Sequence, residues 1–108
     1  MTFKDYQLFT STTAVYKETC PSQTLRMSYC GLGLTGEAGE VADKLKKVLR
    51  DGQYEPLAIA KELGDVLYYI AQLAELMGYS LQDIAEMNVA KLSKRMENNT
   101  IHGSGDDR

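Results

Sequence analysis

The 108-residue chain has no tryptophan, a single histidine, two prolines and two cysteines. Each scarcity excludes something. With His102 as the only histidine, read as a surface residue of the C-terminal tail, the Glu-x-x-His pairs of a ferritin-like di-iron bundle cannot be assembled. Cys20 and Cys30 have neither a metal-site spacing nor further Cys or His partners, so free thiols in a reducing compartment are expected rather than a disulfide. No apolar run approaches the roughly 18 residues of a membrane span. The opening Met-Thr-Phe-Lys-Asp-Tyr lacks the blocks of a secretory signal. The expectation is a cytoplasmic protein without a membrane partner. A basic excess is also missing: 12 Lys and Arg stand against 15 Asp and Glu, a net charge of −3. That balance argues against a nucleic-acid partner and leaves room for a small anion held by a few local cations.

What is present is 44 % hydrophobic content in a short chain. This predicts one compact domain over residues 1–108, small enough that oligomerisation would help bury surface. No solenoid-type repeat and no low-complexity segment occurs. The periodicity is helical throughout. A first helix is predicted over 3–18, with Thr2 as N-cap and Asp5 three residues on; Ser11, Thr12 and Thr13 weaken it, because such side chains lose rotamer freedom or compete for the backbone. Pro21 marks a connector, after which Ser22 caps a second helix from Leu25 to about Leu49 that stops at Asp51-Gly52. Pro56 opens the third helix, whose Ile59, Leu63, Val66, Ile70, Leu73 and Met77 form a bundle seam. Gly78 ends it. Ser80 and Asp83 start a fourth helix reaching about Glu97, and residues 98–108 form a loop by composition.

Two acidic pairs stand out on this frame. Glu37 and Glu40 are three residues apart on the second helix, and so are Glu62 and Asp65 on the third, a spacing that stacks each pair on one helical face. A lone pair of this kind is what any exposed helix carries. Here both pairs flank apolar stripes, glycines stand beside both (Gly36, Gly39 and Gly64), and the short turn makes the two helices antiparallel neighbours. Four converging carboxylates repel unless a cation lies between them, and an all-oxygen set suits Mg²⁺, with Mn²⁺ as substitute. One geometric difficulty is the register. Counted at 1.5 Å per residue from the turn, the first pair lies about 17 Å back and the second about 10 Å forward, an offset of about one helical turn. Gly31, Gly33, Gly36 and Gly39 in nine residues call for close helix crossing, ligand approach, or both.

A second constellation is Asn88, Lys91 and Arg95 on the fourth helix. The two cations alone would simply complement the helix dipole, but Asn88 interrupts the apolar face and needs a polar partner. Among the lysines that follow Glu40, Lys47 is expected nearest the carboxylate stripe and Lys46 in water. Tyr69, one turn after Asp65, either orders the carboxylates, stacks on a base, or is a core-edge aromatic.

Gly-Leu-Thr-Gly-Glu-Ala-Gly-Glu-Val at 33–41, Glu-Leu-Gly-Asp-Val at 62–66, Asn-Val-Ala-Lys-Leu-Ser-Lys-Arg at 88–95 and the terminal Gly-Asp-Asp-Arg together resemble the MazG-like nucleoside triphosphate pyrophosphohydrolases. The resemblance spans nearly the whole chain. It implies an all-α, four-helix bundle-like protomer in an intertwined homo-oligomer, a homodimer or homotetramer with the site completed across an interface. It further implies Mg²⁺-dependent hydrolysis of an NTP or dNTP to the monophosphate and pyrophosphate, by attack of a metal-activated water on the α-phosphorus. Glu37, Glu40, Glu62 and Asp65 would bind the metal and carry catalysis, one glutamate as general base. Asn88, Lys91 and Arg95, with Lys47 and Tyr69 at less distinctive positions, would hold the substrate. The tryptophans that contact the base in some relatives have no counterpart here, which leaves base preference open. The competing reading is a non-catalytic helical oligomer that binds a nucleotide or a partner protein.

Overall fold

The computed structural model describes residues 1–108 and is helical throughout, without a strand. Helix α1 covers Phe3–Thr12, a 3-10 turn Val15–Glu18, α2 Gln23–Asp51, α3 Pro56–Met77 and α4 Leu81–Glu97. The boundaries carry local chemistry. The Thr2 hydroxyl accepts the Asp5 N–H at 3.1 Å while the Asp5 carboxylate accepts the Thr2 N–H at 3.0 Å, so two otherwise orphaned donors satisfy each other. Ser80 and Asp83 repeat this box at α4, and the Ser22 hydroxyl accepts the Leu25 N–H at α2. Gly52 (φ 71°) and Gly78 (φ 82°) close α2 and α3 in the left-handed conformation that a side chain would strain.

The first helix is shorter than its predicted span of 3–18, ending at Thr12 with an irregular link before the 3-10 turn. Its threonines explain the break. The hydroxyls of Thr10, Thr12 and Thr13 donate back to the carbonyls of Gln7, Phe9 and Thr10 at 2.6, 2.7 and 3.0 Å. Three carbonyl oxygens within about one turn are thereby drawn into side-chain bonds that compete with the helical ladder.

Helices α2 and α3 form a long antiparallel hairpin, and α1 lies across α3 and α4 at its base. Polar side chains tie α1 to α3. Gln72 is fully buried and accepts the Tyr16 hydroxyl at 2.9 Å while donating to the Thr10 hydroxyl at 2.9 Å. Gln7 donates to the Tyr79 carbonyl at 2.9 Å and accepts the Leu81 N–H at 3.0 Å, fixing where α3 turns into α4. Cys30, also fully buried, packs with Ala14 and Tyr16; both cysteines are free thiols.

The expected seam of α3 is only half covered. The buried positions are Ala71, Gln72 and Ala74, whereas Leu63 and Met77 of the seam are exposed, as are Leu92 and Met96 on the apolar face of α4. The protomer exposes 7706 Å², against about 6,000 Å² for a monomer of this mass. Its radius of gyration is 16.6 Å, against about 13 Å for a compact domain of this length. Apolar stripes that the heptad-like spacing marks for burial therefore stay open in a single chain.

Replacing Gln72 by Leu leaves the Tyr16 and Thr10 hydroxyls without their buried partner and is expected to destabilise the fold by about 1–3 kcal/mol. Urea denaturation at fixed protein concentration measures it; an unchanged midpoint would show that the network contributes nothing.

Candidate active site

The hairpin brings Glu37 of the first acidic pair, and not Glu40, to the level of Glu62 and Asp65. Gly33 lies under the Tyr69 ring, where a Cβ would come within 2.4 Å of the ring carbons, so the helices cross closely at this point. Gly31, Gly36 and Gly39 have open space around them in the single chain, so close crossing accounts for only one of the four glycines of this stretch. Helix α2 runs on to Asp51, two residues past the expected Leu49, and Gly52–Glu55 leads the chain back to Pro56.

The result is a group of three: carboxylate oxygens of Glu37, Glu62 and Asp65 lie within 4.8 Å of one another. Glu40 stands one turn further along α2, exposed and outside that group. Partial burial pushes the Glu37 carboxyl above its ordinary value, and the charges of Asp65, Glu62 and Glu40 push in the same direction. Negative charge at this point is under-compensated. The cation in ion-pair range of the group is Lys44, whose Nζ is 3.7 Å from Glu62 Oε1.

Lys44 takes the place expected for Lys47. The Lys47 ammonium lies 2.9 Å from Asp43, four residues earlier on the same helix, and the exposed Lys46 shares that aspartate at 3.0 Å. A local i,i+4 partner outcompetes a carboxylate on the neighbouring helix. Lys47 instead lines, with Lys44, Val48, Asp51 and Ile59, a cavity at the turn end of the hairpin.

Tyr69 is half-buried beside the group. Its phenol is pushed up to about 12, first by burial and then by Tyr29 and Glu37. Its ring sits 6.3 Å from Tyr29 and edge-on to Tyr68 at 5.2 Å, and Tyr29 stacks on Tyr16 at 4.7 Å. An aromatic row thus runs from the buried end of the 3-10 turn to the carboxylates. Tyr6 of α1 feels their charge: its phenol is raised first by burial and then by Asp65. Sequence spacing places Tyr6 only on the apolar face of α1; the influence of Asp65 on it follows from how α1 crosses α3, which no local pattern records.

The α4 trio is split. Asn88 is exposed and lines a shallow apolar groove with Phe3, Leu67, Leu81, Ile84 and Ala85. Lys91 and Arg95 turn to the C-terminal loop, where the Lys91 ammonium is 3.2 Å and Arg95 Nη2 3.5 Å from the same oxygen of Asp106. Arg95 is buried there, and Nη2 also donates to the carbonyls of Gly105 and Asp106 at 3.3 Å.

A helical hairpin that gathers carboxylates from both arms, with lysine and arginine on a later helix, defines an all-helical protein suited to a cation and an anionic ligand. Residues 27–100 match the sequence profile of the MazG nucleotide pyrophosphohydrolase domain. The chain belongs to that family. It is 40 % identical over 109 residues to a protein of Mycobacterium phage L5 named "Gene 37 protein", covering 95 % of this chain and 96 % of that one. No solved structure gives a significant match.

The raised Glu37 carboxyl supplies a prediction about the group itself. Asp65→Asn removes the strongest charge influence on it, so the Glu37 titration, followed by side-chain carbon NMR without divalent ions, should move down toward the ordinary glutamate range. An unmoved titration would contradict the convergence of these side chains.

Proposed function

We propose that this chain is a nucleoside triphosphate pyrophosphohydrolase that works with Mg²⁺, cleaving an NTP or dNTP to the monophosphate and pyrophosphate. The observation that carries the reading is the convergence of Glu37, Glu62 and Asp65 from two helices. Family membership supplies the reaction class, nucleotide pyrophosphohydrolysis.

The residues fit a hard divalent cation. Their donors are all carboxylate oxygens, the group carries more negative charge than Lys44 balances, and Glu37 is already pushed toward protonation. Glu37, Glu62 and Asp65 would hold the ion, with Glu40 one turn away completing the set. A bound Mg²⁺ supplies neutralisation of phosphate charge and eases the deprotonation of water at neutral pH.

The chain's own groups do the rest. A glutamate of the cluster takes the proton of the water that attacks the α-phosphorus; the bond to the bridging oxygen breaks and pyrophosphate leaves. Lys91 and Arg95 carry the charge of the departing pyrophosphate, and Asn88 offers an amide to the nucleoside. Tyr69, close enough to Glu37 to feel its charge, and Lys47, paired with Asp43, would border the substrate. Half-covered stripes on α3 and α4, with the excess surface, support a homo-oligomer in which a second protomer covers Leu63, Met77, Leu92 and Met96. No helix is long and apolar enough to cross a membrane.

With Mg²⁺ and a panel of NTPs and dNTPs, the protein is expected to release pyrophosphate and the monophosphate. Glu62→Gln and Asp65→Asn should each lower kcat by about 100-fold or more. Full activity in both variants, or release of orthophosphate, would overturn the reading. Light scattering should return two or four times the 12.0 kDa protomer mass; a monomer would refute the proposed assembly.

A further inference from the structure

The C-terminal loop occupies the two α4 cations, and it does so in a built way. Arg108 folds back to donate to the carbonyls of Thr100 and Ile101 at 2.9 and 3.0 Å and to that of Gly105. The Thr100 N–H returns to the Arg95 carbonyl at 2.8 Å. Gly105 has φ +84°, and a Cβ on Gly103 would lie 2.7 Å from the Arg108 side chain, so both glycines suit this closed path. The closure brings one carboxylate oxygen of Asp106 between Lys91 and Arg95.

That carboxylate is a poor ligand for the pair. It offers a single oxygen to both cations, at 3.2 and 3.5 Å, and is itself 83 % exposed. The Arg95 side chain is only 9 % exposed, yet its Nε is buried without any hydrogen-bond partner. A buried donor left unpaired is unfavourable. A tetrahedral phosphate has enough oxygens to serve Lys91, Arg95 Nη2 and Arg95 Nε together, which one shared carboxylate oxygen does not.

We propose that Asp106 is an internal stand-in for a substrate phosphate: the loop holds the Lys91–Arg95 anion site closed until a polyphosphate exchanges with the carboxylate and releases residues 103–108. This inference rests on the reading of Lys91 and Arg95 as phosphate-binding groups. The loop is then a weak latch rather than a fixed wall. Because the Lys91–Asp106 pair is largely solvated, its grip is small, and the competition it imposes is about two- to fivefold in affinity.

The test uses inorganic tripolyphosphate as probe, by calorimetry on the full chain, so that turnover is not required. Asp106→Asn is expected to tighten binding about two- to fivefold. Gly105→Ala, which changes no charge but strains the closed loop at φ +84°, should tighten it in the same direction. Weaker binding in Asp106→Asn would mean that the carboxylate positions the cations, and would overturn the proposal. Tightening in Asp106→Asn with none in Gly105→Ala would reduce the effect to net charge and also overturn it, as would absence of binding in every form. Failure of the pyrophosphohydrolase reading shows separately, as missing pyrophosphate release while these affinities still shift. Hydrogen exchange on the unmodified protein adds a second readout: saturating tripolyphosphate should speed exchange at residues 103–108, and slower exchange there would contradict release.

Discussion

Mutual repulsion among Glu37, Glu62 and Asp65 is the constraint on which the rest of this structure turns. Three carboxylates drawn from two helices to within 4.8 Å oppose the hairpin that carries them. The hairpin tolerates them because its packing is secured elsewhere, by the close crossing at Gly33 and Tyr69 and by the buried Gln72 network that ties α1 to α3. Lys44 offsets part of the charge from the side. The remainder is uncompensated negative charge, and the grouping persists only while the two helices stay in register.

The second feature of the molecule is the amount of apolar surface that the single chain leaves open. Its surface exceeds that of a compact monomer while its most regular apolar stripes lie open. Burial of those stripes by another protomer would serve stability and function together, since it would stiffen α3, which supplies two of the three converging carboxylates. The cations of α4 are met within the chain: Lys91 and Arg95 contact the protein's own C-terminal loop.

How much of this was legible depends on distance along the chain. The helix starts at Thr2, Ser22 and Ser80 and the stops at Gly52 and Gly78 rest on bonds or dihedrals spanning a few residues, and residue types alone announce them. Glu37, Glu62 and Asp65 were legible as a face, because spacing three apart sets direction on a helix. Whether Glu37 or Glu40 would meet the opposite pair was not, because that depends on how far one helix slides along the other. Lys44 exchanged roles with Lys47 because Asp43 captures the latter locally. Asp65 acting on Tyr6, and Asp106 against Lys91 and Arg95, join distant segments, and no periodicity carries such relations. The early end of α1 lay between these extremes: the Ser-Thr-Thr run signalled weakness, while the length that survived was set by three hydroxyls bonding backwards.

The central claim is that these three carboxylates form one cation site. Paramagnetic Mn²⁺, added at substoichiometric levels and read by side-chain carbonyl NMR, tests it most directly. The account predicts that the carboxyl signals of Glu37, Glu62 and Asp65 broaden first and together, ahead of exposed acids such as Asp43 and Asp51. Broadening that begins at those surface acids, or that separates Glu37 from the α3 pair, would contradict it.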